Sequence, residues 1–316
     1  MESDFKLYHI SKLYYIDNMK QSDIAEIYGT STMMISRLLK KAEDKGIVKI
    51  EVKPFINLDI DLGSKLMKHY PLIRDCLVLK VDSQYDLRKQ LGELAAQYVT
   101  SVIKDGDIIG LSWGKVMYEF VSAMPEISLP NCQIVQLKGG FLGADSQFLI
   151  PTNLVKTMGE KLFCNSLYLN APIYVSSREI REQMEGDPAN SHLFSLAEEA
   201  SINVFGTSAL GAESTISQMN VLSEADIQEL SSLNAIGDVD GFFIDKAGNE
   251  VVWSKTDCCV GVPLATLSKA NHSVCVAGGA EKAGVCRAAL QKGYFNVFIV
   301  SSDLANEILL KDDESA

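Results

Sequence analysis

From Asp75 to the end of the chain, short apolar runs alternate with amphipathic stretches, and four of those runs lead into glycine turns. The runs are 108–111, 133–137, 202–205 and 273–277, and the turns read GLSWGK, LKGG, FGTSALG and VAGGAEK. Strands interleaved with helices predict an α/β fold: a parallel sheet covered on both faces. The carboxyl edge of such a sheet is where ligands bind. One glycine turn serves plain turn geometry as readily as binding. Four that converge on one sheet edge predict a pocket with backbone N–H groups free for a phosphate. Lys138, just ahead of Gly139 and Gly140, adds an amine that can pair with phosphate as an ammonium or attack an aldehyde as a neutral amine.

The remaining elements follow from the same periodicity. Strands are expected at 76–81, 166–170 and 297–300, the last being the final strand, with a frayed tail from Lys311. Helices are expected at 87–102, 153–163, 178–185, 189–199 and 223–234, and from Gly279 through Gln291. Residues 241–245 read as a strand that turns through 245–249 and returns along 250–253 as a hairpin.

The first 53 residues differ in kind. Leu7, Ile10, Leu13 and Tyr14 recur at helical spacing, a second helix buries Ile24, Ala25 and Tyr28, Gly29 breaks it, and Ser31 caps a third. In the third helix Ile35, Leu38, Leu39 and Ala42 face inward, while Met33, Ser36, Arg37 and Lys40 form the outer stripe. Two helices joined by a tight glycine turn, the second with a polar and basic outer face, match a DNA-reading helix-turn-helix, with residues 47–52 as a wing strand. Arg37 and Ser36 are then placed to reach base edges, and Thr32, Lys40, Lys41 and Lys49 to meet phosphates. A plain three-helix packing module is the alternative. Lys20 stands where a capping Ser or Thr would start the second helix.

Charge supports this division. Net charge is -12, yet residues 1–53 hold nine Lys/Arg against eight Asp/Glu, and the rest hold 20 against 33. An acidic body repels polyanions, so contact with double-stranded DNA falls to the N-terminal piece. Pro54 marks the boundary, giving a DNA-binding domain at 1–53 and an effector and oligomerisation domain at 54–316. Residues 56–70 read as a linker helix, whose Ile60, Leu62, Leu66 and Met67 pair with a second copy or pack on the body.

Seven cysteines without a C-x-x-C pair, and four histidines isolated from one another, imply reduced thiols and no metal or cofactor site. No run of eighteen apolar residues appears, and the first thirty residues are interrupted by polar groups. The expectation is a cytoplasmic protein without a membrane contact.

The segments IAEIYGTSTMMISRLLKKAEDKGIVKI, KDGDIIGLSWGKVMYEFV, VQLKGG, IGDVDGFFIDKAGN, VGVPLATL and VAGGAEKAGVCRAALQKGYFNVFIVSSDLA, in that order, resemble the SorC-type sugar-responsive transcriptional regulators over nearly the full length. The SWG and QLKGG forms most resemble the deoxyribonucleoside-regulator type, which responds to deoxyribose 5-phosphate. The resemblance implies a winged helix-turn-helix plus a Rossmann-like effector domain related to ribose-phosphate isomerase and glucosamine-phosphate deaminase. It also implies a repressor, a phosphorylated sugar as effector, a homodimer or homotetramer, and no enzymatic activity. Carried over by motif, Ser112, Trp113, Gly114, Lys115, Gly139, Gly140, Gly278, Gly279 and Lys282 surround the ligand. Asp238 accepts from a sugar hydroxyl, and Lys138 forms a Schiff base. Two departures stand out: Lys115-Val116 replaces a Thr-Thr pair common in the family, and Phe242 occupies the place of a phosphate-facing Arg. An isomerase, deaminase or lysine-based aldolase, with Asp238 or Asp240 as proton shuttle, is the alternative use of the same pocket.

Overall fold

The computed structural model describes residues 4–49, 57–81, 86–140, 150–211, 214–218 and 221–313. The chain forms two compact units, Met1–Phe55 and Ile56–Ala316.

The smaller unit is built from α1 (Asp4–Tyr15), α2 (Gln21–Ile27) and α3 (Thr32–Asp44). Its core holds Leu7, Ile10, Ile24, Ala25, Ile35, Leu38, Leu39 and Ala42, drawn from all three helices. Burying a leucine or isoleucine contributes roughly 1.5–3 kcal/mol, which is what holds so small a unit together. Helix α2 starts at Lys20 without a side-chain cap, and Gly29 turns the chain in the left-handed region at φ 56°. Ser31 then starts α3 by accepting from the Met34 N–H at 3.2 Å. The expected wing strand is not seen at residues 47–49, where the chain is a bend and coil, and 50–52 lie outside the described residues.

The larger unit carries β1 (Asp75–Leu79), β2 (Ile108–Leu111), β3 (Gln133–Gln136), β4 (Asn165–Leu167), β5 (Ile202–Ala209), β6 (Gly237–Val239), β7 (Phe242–Ile244), β8 (His272–Ala277) and β9 (Val297–Ser301). Seven of these run parallel in the order β1-β9-β8-β5-β2-β3-β4. Along β5, β8 and β9 the side chains alternate between two cores: Ile202, Val204, Val274, Val276, Val297 and Ile299 face one, and Phe205, Cys275, Phe298 and Val300 face the other. Both faces are therefore covered, the first by helices Leu87–Val102, Lys115–Ala123 and Pro151–Leu162, the second by Ile60–His69, Pro188–Glu198, Ala283–Lys292 and Ser302–Asp313. This is the mixed α/β architecture with a parallel sheet that the alternating pattern predicts.

From β2 the chain steps outward through β3 to β4, then returns to place β5 on the other side of β2 and steps outward again through β8 and β9. The order reverses between β2 and β5, which opens a crevice at their carboxyl ends.

Several boundaries differ from the pattern reading. Residues 237–239 form β6, which pairs antiparallel with both the end of β5 and β7, whereas 250–253 form no strand and meet the expected hairpin through the isolated Ile244–Glu250 bridge and the packing of Trp253 on Phe243. Strand β5 runs on to Ala209 to accept β6. The helix expected at 56–70 spans Ile60–His69, because Asp59 caps it by accepting from the Leu62 N–H at 3.0 Å; residue 56 lies outside the described residues. Leu62 and Leu66 enter the core, while Ile60 is exposed. The helix Ser302–Asp313 was not foreseen.

Candidate functional site

A cavity of about 450 Å³ opens at the β2–β5 crevice. Two helix starts that follow glycine turns face it, as does the Asp86-capped start of helix Leu87–Val102. After β2, Ser112 and Trp113 lead to Gly114, whose φ of 127° is left-handed and whose missing side chain leaves open space. Helix Lys115–Ala123 begins there without a side-chain cap. Its first internal bond runs from the Tyr118 N–H to the Gly114 carbonyl at 3.0 Å, so the Lys115, Val116 and Met117 amides have no acceptor inside the helix. They add to the positive end of the helix dipole, which suits an anion. After β8, Gly278 and Gly279 lead through Ala280–Lys282 into helix Ala283–Lys292.

Of the residues singled out from sequence, Ser112, Trp113, Gly114, Lys115, Asp238, Gly278, Gly279 and Lys282 line this one cavity. So do Arg88, Thr207 and Ser208, to which the pattern reading gave no ligand role, and Asp240, which it named only as a proton shuttle in the enzyme alternative. Arg88 sits in an unremarkable stretch of helix, and only the fold brings it here. Lys115 donates to the Gln218 side-chain oxygen, which holds its ammonium beside the helix start.

Two buried carboxylates line the cavity. Asp238 Oδ2 accepts from the Gly241 N–H at 2.9 Å, and burial pushes its pKa up to about 6, against the pull of that N–H, the Ser208 hydroxyl, Lys138 and Lys282. Asp240 lies in the left-handed region at φ 50° and accepts from the Ser112 hydroxyl through Oδ1. Burial pushes it up to about 6 as well, with Lys138 and the Ser112 hydroxyl acting in the opposite direction and Asp238 adding like-charge repulsion.

Lys138, Gly139 and Gly140 are not among the lining residues. Lys138 is fully buried, its Nζ 3.0 Å from the Phe242 ring centroid and 3.8 Å from Cys259 Sγ. The expectation of bare N–H groups after β3 also fails. The Gly139 N–H donates to the Val260 carbonyl at 3.0 Å and the Gly140 N–H to the Ala171 carbonyl at 2.8 Å. A Cβ on Gly139 would stand 2.5 Å from the Pro172 carbonyl oxygen, so this glycine serves close backbone packing. At the VAGG turn the Gly279 N–H is likewise engaged, donating to Ser301 Oγ at 3.2 Å.

In the smaller unit Thr32, Met33, Ser36, Arg37, Lys40, Lys41 and Lys49 are all exposed. Lys40 pairs with Glu43 at 3.1 Å on the same helix, a solvated contact of small worth. Among the described residues no cluster of His, Cys, Asp or Glu could hold a metal ion, and no helix is long and apolar enough to cross a membrane.

Residues 55–310 match the sequence family described as "Putative sugar-binding domain". The Deoxyribonucleoside regulator of Bacillus subtilis (strain 168) is 30% identical over 306 residues, covering 95% of both chains. This chain belongs to the SorC family of sugar-binding transcriptional regulators. Another relative, the transcriptional regulator YjhU of Escherichia coli (strain K12), is 25% identical and covers 97% of the chain and 95% of its own length. The full-length sorbitol operon regulator SorC from Klebsiella pneumoniae has the same fold, with a TM-score of 0.72 at 23% identity over 98% of this chain and 99% of its own.

Proposed function

We propose that the protein is a DNA-binding transcriptional repressor whose DNA affinity is set by a phosphorylated sugar bound in the β2–β5 cavity. The observation that carries this reading is one cavity lined by an uncapped helix start, three cations (Arg88, Lys115 and Lys282) and four carboxylates, of which Asp238 and Asp240 are buried and Asp86 and Glu281 exposed. Helix start and cations suit the phosphate, and the carboxylates suit hydroxyls. Residues 1–53 act as the helix-turn-helix reader and 54–316 as the Rossmann-like effector and oligomerisation domain. In this reader Arg37 and Ser36 address bases, and Thr32, Met33, Lys40, Lys41 and Lys49 pack along the backbone. Homodimers or homotetramers suit two-fold operators, and the protein works in the cytoplasm without turning its ligand over.

The resemblance of the SWG and QLKGG segments to the deoxyribonucleoside-regulator type favours deoxyribose 5-phosphate as effector. Lys138 is the amine for a Schiff base with its open-chain form, and this requires the Phe242 ring to move off Nζ. The test is a thermal-shift screen of pentose and hexose phosphates, followed by borohydride reduction and mass spectrometry. A specific effector at about 100 times its Kd stabilises the native state by about 2.7 kcal/mol, a midpoint rise of about 5–10 °C for a unit of this size. Reduction is expected to leave an adduct on Lys138 that Lys138→Ala abolishes. No midpoint shift with any sugar phosphate would end the effector reading, and a shift without an adduct would leave binding by charge alone.

A further inference from the structure

Asp240 is built differently from its neighbour Asp238. Asp238 has its carboxylate met by the Gly241 N–H and the Ser208 hydroxyl. Asp240 spends one oxygen on the Ser112 hydroxyl, and its Oδ2 is buried with no hydrogen-bond partner among the described residues. A buried carboxylate oxygen left unpaired is costly. Lys138 acts on Asp240 electrostatically, yet its Nζ is seated on the Phe242 ring and beside Cys259. The backbone adds a second cost, since a non-glycine residue at φ 50° is uncommon. Asp240 also lines the cavity, between Ser112 and Gly241.

We infer that Asp240 Oδ2 is the acceptor for a hydroxyl of the effector, which makes the effector a sugar phosphate with an uncharged, hydroxyl-bearing body and excludes phosphorylated sugar acids. The hydroxyl supplies the donor that Oδ2 lacks. A carboxylate in the same place would meet Asp238 and Asp240 together, and like charges in a poorly hydrated cavity repel strongly. The inference rests on the cavity being the phosphosugar site, and it adds which end of the sugar is read and what chemistry is refused.

The test is calorimetric titration of the full-length chain with ribose 5-phosphate, deoxyribose 5-phosphate, 6-phosphogluconate and inorganic phosphate, repeated on Asp240→Gly and Asp240→Asn. Glycine adopts the left-handed backbone without strain, so Asp240→Gly removes the acceptor and leaves the turn. Asparagine also tolerates that region; it removes the charge and replaces one acceptor oxygen with an NH2 donor. The native chain is expected to bind at least one pentose phosphate more tightly than 6-phosphogluconate. Asp240→Gly is expected to weaken that pentose phosphate about tenfold or more while inorganic phosphate holds within about twofold. Asp240→Asn should fall between, and it carries the test should the glycine variant fail to fold. Unchanged pentose phosphate affinity in the variants, an equal loss for inorganic phosphate, or preferred binding of 6-phosphogluconate overturns the inference alone. A native chain that binds none of the sugar phosphates removes the phosphosugar reading and this inference with it.

Discussion

Asp238 and Asp240 carry a stability cost that depends on pH. An ordinary aspartate titrates near 3.9, and in the folded chain burial moves both to about 6. The folded state therefore holds these protons more tightly than the unfolded chain does. Below about pH 4 both states are protonated and no cost arises; as pH rises from about 4 to about 6 stability is lost, and above that the loss is constant. Two pK units correspond to about 2–3 kcal/mol for one group. Asp240→Asn is thus expected to raise the thermal midpoint above native at pH 7.5 and to show little of that gain at pH 4.5, measured by calorimetry at fixed ionic strength. A gain of equal size at both pH values would mean that Asp240 is not an ionised buried group. Nothing in the string Asp-Val-Asp-Gly announces this. Asp238 is picked out by its resemblance to a family motif and Asp240 only as a proton shuttle of the enzyme alternative, and its burial against Ser112 comes from the fold. Lys138 shows the opposite: its sequence neighbours point to a ligand cradle, whereas the close approach of Pro172 and Gly261 accounts for much of the local constraint.

Helices and strands were legible where apolar periodicity is strong. Strand β2 and helix Leu87–Val102 fall where their patterns put them, and so does α3, whose inward positions Ile35, Leu38, Leu39 and Ala42 are all buried. The reading weakened where pairing, not pattern, decides. Strand β6 is three residues, Gly-Asp-Val, too short and polar to show a period of two, and it exists because β5 overruns the sheet edge and offers it a partner. The cost of missing β6 fell on the site, since the β6–β7 turn is what carries Asp238 and Asp240 to the cavity. Helix α3 allows a test of its own. Arg37 and Lys40 are both exposed on it, yet a guanidinium can read a base edge in a bidentate manner and an ammonium acts as a point charge. Arg37→Ala is expected to relax sequence preference by roughly 1–3 kcal/mol, and Lys40→Ala to weaken all duplexes alike and flatten the salt dependence. Competition binding against scrambled duplexes checks both, and an unchanged preference in Arg37→Ala would move base reading to another residue of the helix.

Division of labour between the two units sets a last constraint, and it is thermodynamic. The Met1–Phe55 unit holds the near-neutral share of the charge and the rest holds the acidic share, so duplex DNA and a small anion are expected to bind to different units of one chain. Two ligands on different units influence each other only through the free-energy difference between states of the protein that each prefers. Converting a protein from nearly all bound to nearly all free takes about 5.5 kcal/mol of differential affinity, more than the 1–3 kcal/mol typical of coupling between two sites. A partial switch is therefore the realistic scale for one site, and oligomers gain more by acting on several sites at once. Linkage then requires symmetry: whatever factor a sugar phosphate takes from DNA affinity, saturating duplex must take from sugar phosphate affinity. Titrating the effector into the chain alone and into the chain on its duplex is expected to show dissociation constants that differ by about 5–150-fold, the range that such coupling energies span. Equal constants in the two titrations would mean that the cavity binds its ligand without speaking to the DNA reader, and control of transcription would have to be sought elsewhere on the molecule.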